Sequence, residues 1–192
     1  GENGAGKSAL MKMLYGVQNP DEGTIAVSGT PVSMGSPLDA IRLGIGMVFQ
    51  HFQLADNFTV LENVVLGAEK FHGIGAGAAR EIRRISDAYA FDLDPHRLVE
   101  DLGVGERQRI EILKVLYRGA KVIILDEPTA VLVPQEVDTL FANLRVLRDS
   151  GHTLLFISHK LDEVLEIADD ITVMRRGATV AAVDTGEVTQ RQ

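Results

Sequence analysis

The stretch that most limits what this chain can fold into is its first eight residues, Gly1-Glu2-Asn3-Gly4-Ala5-Gly6-Lys7-Ser8. Their spacing, a glycine, four residues, then Gly-Lys-Ser, is that of a phosphate-binding loop. Glycines let the backbone turn tightly enough for successive N–H groups to face a polyphosphate, and a following helix adds the positive end of its dipole. In that reading Lys7 reaches the β- and γ-phosphates and Ser8 offers its hydroxyl to Mg²⁺, a hard cation that takes few protein ligands. Read alone, the same pattern also describes a flexible glycine-rich terminus. Lys7 to Tyr15 is rich in helix formers and free of Pro and Gly, so the required helix follows. The required preceding strand does not, because Gly1 is the first residue; the sequence reads as a fragment lacking its N-terminal strands.

Thr24 to Ser28 alternates after a turn-forming stretch and reads as a strand, with Pro31 to Met34 as its hairpin partner. Ser36-Pro37 opens a short helix that Gly44 ends. Met47 to Phe49 reads as a buried strand running into Gln50, and Thr59 to Glu62 has capping-box spacing for a helix through about Leu66. From about Gly67 to Arg118 the apolar spacing turns helical, which marks an inserted lobe. Within it Gly73 to Gly77 is expected to be a flexible connector, Ala78 to Phe91 a helix, and Glu106 to Tyr117 another, with Ile110, Leu113, Leu116 and Tyr117 on one face. Lys121 to Asp126 is a continuous apolar run, the mark of a strand buried on both sides. A helix from Pro134 to Arg148, a second buried strand from Thr153 to Ile157, a helix from Lys160 to Ala168, and strands at Ile171 to Met174 and Thr179 to Val183 complete an α/β pattern. The expected organisation is a nucleotide-binding core of residues 1–66 and 119–192 with a helical subdomain of residues 67–118.

Composition enters as a set of exclusions. With 45% hydrophobic residues in 192, disorder is not expected. The 27 acidic against 19 basic residues, with no Lys/Arg-rich run, argue against a nucleic-acid surface. The absence of Cys excludes disulfides and thiolate metal sites and fits a reducing compartment. No apolar run approaches the roughly 18 residues of a membrane span.

Chemistry gathers at strand ends, where open α/β sheets bind ligands. The run Val122 to Leu125 ends in Asp126-Glu127: Asp126 is placed to hold Mg²⁺ through water and Glu127 to take a proton from, or orient, the water attacking a γ-phosphate. A turn and helix cap ahead of Pro128 is the structural alternative. His159 follows the next strand and can hydrogen-bond phosphate or water, or simply cap a surface turn. Gln50 can offer its amide oxygen to Mg²⁺, or be an ordinary polar loop residue. Leu102-Gly103-Val104-Gly105-Glu106 precedes a helix and forms either a second anion cradle or a plain capping turn. Two cradles on different lobes serve one phosphate most simply if two such domains face head to tail.

Taken together, the phosphate loop, Gln50, Leu102 to Glu106, Leu125-Asp126-Glu127-Pro128 and His159 follow the order and spacing of the ATP-binding subunits of ABC transporters, which this chain resembles over nearly its whole length. Gly46 to Phe52, Val104 to Ile112 and Pro128 to Leu132 resemble the importer subfamily for simple sugars and nucleosides, and its first ATPase domain in particular. The resemblance implies a P-loop NTPase fold with an inserted helical subdomain, ATP and Mg²⁺ as cofactors, and hydrolysis in a two-domain sandwich. It implies transmembrane permease subunits and, indirectly, a solute-binding protein as partners, and a peripheral place on the cytoplasmic face of the membrane. Carried over by position, residues Gly1 to Ala9 with Gln50, Gly103, Gly105 and Glu106 bind nucleotide; Ser8, Gln50 and Asp126 serve the metal; Glu127 is the base and His159 the switch. Phe49, Phe52, Leu54 and Phe58 would lie near the groove for a transporter's coupling helix, or pack in the core.

The chain departs from the family at Gly103, where a Ser hydroxyl is usual, and at Ala9, where a Thr is usual. These motivate an alternative in which this half binds nucleotide but serves a structural or regulatory role, with hydrolysis impaired at the partner's site. The upstream adenine-stacking aromatic residue is absent. Without the strand before Gly1, the isolated chain is expected to be unstable and to bind ATP weakly.

Overall fold

The computed structural model describes residues 4–185, so Gly1, Glu2 and Asn3 lie outside the described residues. Its centre is a parallel sheet of three strands in the order β3 (Ile45–Val48), β4 (Val122–Asp126), β5 (Thr153–Ile157). Alternation along β4 sends Ile123 and Leu125 to one face and Ile124 to the other, and all three are inaccessible to solvent. Both faces are therefore covered, which is why the strand reads as an unbroken apolar run.

One face carries the helical side: α3 (Val60–Val65), α5 (Ala76–Ala88), α6 (Val104–Tyr117) and α7 (Pro134–Asp149). Ile82, Ile85, Phe91, Ile110, Leu113, Phe141 and Leu144 join Ile123 and Leu125 in one continuous cluster, so the lobe and the sheet share a core. The other face packs Tyr15, Met34, Ala40, Ile45, Met47, Ile124 and Ile157 beneath α1 (Lys7–Leu14), the hairpin of β1 (Ile25–Val27) and β2 (Thr30–Val32), and α2 (Pro37–Arg42). Glu69–His72 forms a short helix, α4, and Val99–Asp101 a single 3₁₀ turn; neither is expected from the sequence. Past β5 come α8 (Leu161–Ile167) and an antiparallel pair, β6 (Asp170–Arg175) and β7 (Ala178–Asp184).

Some expected boundaries move, each for a physical reason. Gly77 lies inside α5, which starts at Ala76, so the expected connector is shorter. The same helix stops at Ala88 instead of Phe91 because Ala90 turns left-handed (φ 54°) and the Phe91 amide returns to the Ser86 carbonyl at 2.8 Å. Helix α6 starts at Val104, with Gly103 as its N-cap, which puts Gly105 and Glu106 in its first turn. Solvent-facing surface of α6 is narrow: Ile112 and Val115 are buried along with the four expected residues. Strand β5 is only half-buried along most of its length, because among the described residues it pairs with β4 alone. Its other side opens onto a cleft of about 660 Å³ between β5 and β6, lined by Lys7, Leu10, Met11, Leu155, Val164 and Met174 among others. No helix among the described residues is long and apolar enough to cross a membrane.

Candidate functional site

Register places the expected residues on one rim. Val48 pairs with Leu125 and Asp126 with Ile157, so Gln50, Asp126-Glu127 and Ser158-His159 all leave the sheet at its carboxyl edge. Helix α1 points its N-terminus at the same rim. Its N-cap is Gly6, at φ 94°, a left-handed conformation that a side chain would strain. Among the described residues no side chain caps it and no acidic residue occupies its first turn. The turn between β6 and β7 steadies the loop: the Gly177 amide donates to the Ala5 carbonyl at 3.0 Å. The neighbouring cleft touches the loop through Lys7, but most of its walls are apolar, and a polyphosphate matches the rim instead.

The Ser8 hydroxyl donates to Asp126 Oδ1 at 3.0 Å, across 118 residues of sequence. A hydroxyl beside a carboxylate is the hard-oxygen pair that suits Mg²⁺. Among the described residues no three His, Asp or Glu side chains converge as a metal cage. That sparse donor set fits a cation that keeps its waters and shares a substrate's phosphates.

Glu127 has a left-handed backbone, φ 48°, rare for a side chain of its size. The surroundings enforce it: its amide donates to the Ile157 carbonyl at 2.9 Å, and its carbonyl accepts from the Ala130 amide at 3.1 Å. Strain held in this way is characteristic of functional positions. The result is that Glu127 Oε1 meets His159 Nδ1 at 3.1 Å, with the glutamate side chain 17% exposed and the imidazole 45%. A carboxylate accepts, so Nδ1 carries the shared proton and Nε2 faces away from the pair. A half-buried base beside an accessible imidazole can deprotonate and orient a water at the rim.

The second glycine-rich turn is placed differently. The Gly103 amide donates to Glu106 Oε2 at 2.9 Å, and the Gly105 amide to Glu136 Oε1 at 3.0 Å. Both cradle amides thus hold carboxylates of the chain itself. Glu106 also pairs with Arg97 at 3.1 Å. Gly105 allows this contact: a Cβ there would come within 3.0–3.1 Å of the Glu136 carboxyl and Cγ. Gly103, by contrast, has extended backbone and room for a side chain. No hydrogen bond joins Gly103, Gly105 or Glu106 to the phosphate loop among the described residues, and Gln50 is exposed with none to Ser8 or Asp126. Ala9 is exposed in the first turn of α1.

The loop after Gln50 is held by α6. The Gln53 amide donates to Glu111 and its carbonyl accepts from Lys114 at 2.7 Å, while Asp56 pairs with Arg107 at 2.8 Å. Phe49 packs edge-on to Tyr15 and Leu54 against the main core; Phe52 and Phe58 are half-buried. Sequence reasoning missed Glu111, Lys114, Glu136, Thr129 and Glu163. For Glu111 and Lys114 the charged pair three apart on an otherwise buried helix face was an available signal.

Comparison with known proteins bears on these placements. The family described as "ABC transporter" matches residues 1–130. A nucleoside import ATP-binding protein of Lactococcus lactis is 47% identical over the whole chain, which covers 38% of that relative. A glucose import ATP-binding protein of Haloferax volcanii is 45% identical over 99% of the chain and 40% of its own length. The chain thus spans about two fifths of these relatives. Among solved structures, an ATP-binding cassette of an ABC transporter in its ADP conformation superposes with TM-score 0.83 at 27% identity, covering 95% of this chain and 77% of that one. CbiO1 of Clostridium perfringens gives 0.84 at 28%, covering 97% and 76%.

Proposed function

The chain belongs to the ABC transporter family, and from that premise we propose that it is the ATP-binding, ATP-hydrolysing part of an importer that energises uptake of a simple sugar or nucleoside. The observation that carries hydrolysis is the Glu127–His159 contact at 3.1 Å, at the same end of β4 as Ser8–Asp126 at 3.0 Å and beside a helix N-terminus that no described side chain caps. Backbone amides of the loop and Lys7 hold the polyphosphate. Glu127 takes the proton of the attacking water, and His159 fixes the carboxylate's direction. Ser8 and Asp126, with Gln50 from the adjoining loop, would hold Mg²⁺. When bound, that cation neutralises charge developing on the phosphate oxygens.

The importer assignment is supported by relatives named for nucleoside, glucose and ribose import. Permease subunits in the membrane, a solute-binding protein and a second ATPase domain are the partners this reading calls for, with residues 67–118 acting as the lobe that faces the second domain. The place of action is the cytoplasmic face of the membrane. A purely structural or regulatory role finds no support at this chain's own rim, where base and imidazole are already in contact. Uptake tests the assignment: cells whose intact protein carries Lys7→Ala should lose uptake of labelled ribose or guanosine while amino-acid uptake continues. Uptake of every sugar and nucleoside at the unmutated rate would overturn it.

A further inference from the structure

We propose that Glu163 is a positioning residue for hydrolysis, holding the two loops that carry Glu127 and His159 in register through the hydroxyls of Thr129 and Ser158. This rests on the roles given above to Glu127 and His159. Thr129 lies two residues beyond Glu127, and Ser158 immediately precedes His159. Both hydroxyls converge on one oxygen: Glu163 Oε2 accepts from Thr129 at 2.6 Å and from Ser158 at 3.2 Å. The other oxygen accepts from Lys160 Nζ at 2.8 Å. The same ammonium stands 3.5 Å from both the carbonyl and the hydroxyl of Thr129. The Ser158 oxygen also accepts from the Lys160 amide at 3.0 Å, so its single proton is committed to Glu163.

Glu163 occupies the first turn of α8, where an acidic residue needs no further reason than the helix dipole. Its reach argues for more. The side chain is only 13% exposed, and its shortest bond goes to a threonine 34 residues away that is 2% exposed. Burial pushes the carboxyl up, but hydrogen bonds from Lys160, Thr129 and Ser158 and the Lys160 charge outweigh it and hold the group below the usual glutamate value. It therefore stays an acceptor for all three donors. Without it, two buried hydroxyls lose the carboxylate they donate to, and the loops on either side of the 3.1 Å Glu127–His159 contact keep the Glu127 amide to the Ile157 carbonyl and the long 3.5 Å contacts of Lys160 with Thr129.

The test is steady-state ATP hydrolysis by the intact protein. Glu163→Ala should lower kcat by about tenfold or more while KM for ATP stays within about twofold. Glu163→Gln, which keeps an acceptor for the hydroxyls, should recover most of the loss. In a His159→Ala background Glu163→Ala should cost nothing further, because its effect passes through His159. Should Glu163→Ala fail to accumulate as folded protein, Thr129→Val is read in its place, with a loss of about fivefold and the same dependence on His159. A kcat within about twofold of the unmutated protein, or an equal loss with and without His159, overturns the proposal. Glu127→Gln run alongside separates the two readings: if it leaves hydrolysis intact, the assignment of the base fails, whatever Glu163 does.

Discussion

Of the helices that begin at glycine-rich turns, α1 at Gly6 and α6 at Gly103 are the two the sequence marks as anion cradles, and they differ in what their first amides hold. At α1, among the described residues, there is no side-chain cap and no acidic residue in the first turn. At α6 the chain's own Glu106 and Glu136 accept from Gly103 and Gly105. Backbone dipole and glycine spacing are common to both ends, so neither decides whether an anion can enter. The carboxylates decide it. Among the described residues the first turn of α1 carries no acid, whereas the Gly103 and Gly105 amides of α6 each hold one.

Substitutions that exchange these characters should show it, and the largest effect is expected at α1. Ala9→Glu puts an acid at the third position of α1, within reach of the Gly6 amide, as Glu106 is of Gly103. ATP affinity of the intact protein, followed by titration, should fall by about tenfold or more, whereas Ala9→Gln should fall much less. Equal losses would mean that charge is not what distinguishes the two ends. At α6, Gly105→Ala places a methyl against the Glu136 carboxyl, where a Cβ would stand at 3.0–3.1 Å. Displacing that side chain should offset the helix gain of Ala over Gly, leaving the fold no more stable in a denaturant titration. A gain of about 0.5–1 kcal/mol would show that Glu136 is not needed to fasten α7 to α6.

A smaller effect belongs to the far end of α7. His152 is buried there, 5.6 Å from the Tyr89 ring, with Nδ1 3.2 Å from the Leu147 carbonyl. Burial pushes its pKa below the usual histidine value, and the carbonyl contact only partly opposes this. The unfolded chain therefore takes up the proton first. Stability is complete above the unfolded value near 6.5 and is lost as pH falls through the lower folded one. Melting temperature should drop between about pH 7 and 5.5, less steeply in His152→Gln. An unchanged slope would assign the loss to other groups.

How much of this could be read in advance follows from the reach of each interaction. Strand β4 was legible because four apolar residues in a row ending at Asp126 suit little else, and α3 because Thr59 and Glu62 form a capping box with each other. The rim was legible as well, since register follows once the strands are known. The self-closing of α6 was not: Glu136 lies 31 residues from Gly105 and reads locally only as an acid in the first turn of α7. Glu163 was hidden in the same way, 34 residues from Thr129. The left-handed backbone of Glu127 is held partly by the local Ala130 amide and partly by the Ile157 carbonyl of the neighbouring strand, and the second of these is not visible in the local sequence. Half-burial of β5 follows from its pairing, among the described residues, on one edge, which no residue in β5 announces.

The most direct test is the rate of ATP hydrolysis by the intact protein after Glu127→Gln, which keeps the side chain's shape and removes its ability to take a proton. If the rim works as described, the rate falls by about a hundredfold or more while ATP still binds. A rate within about twofold of the unmutated protein would show that proton transfer from water does not pass through Glu127.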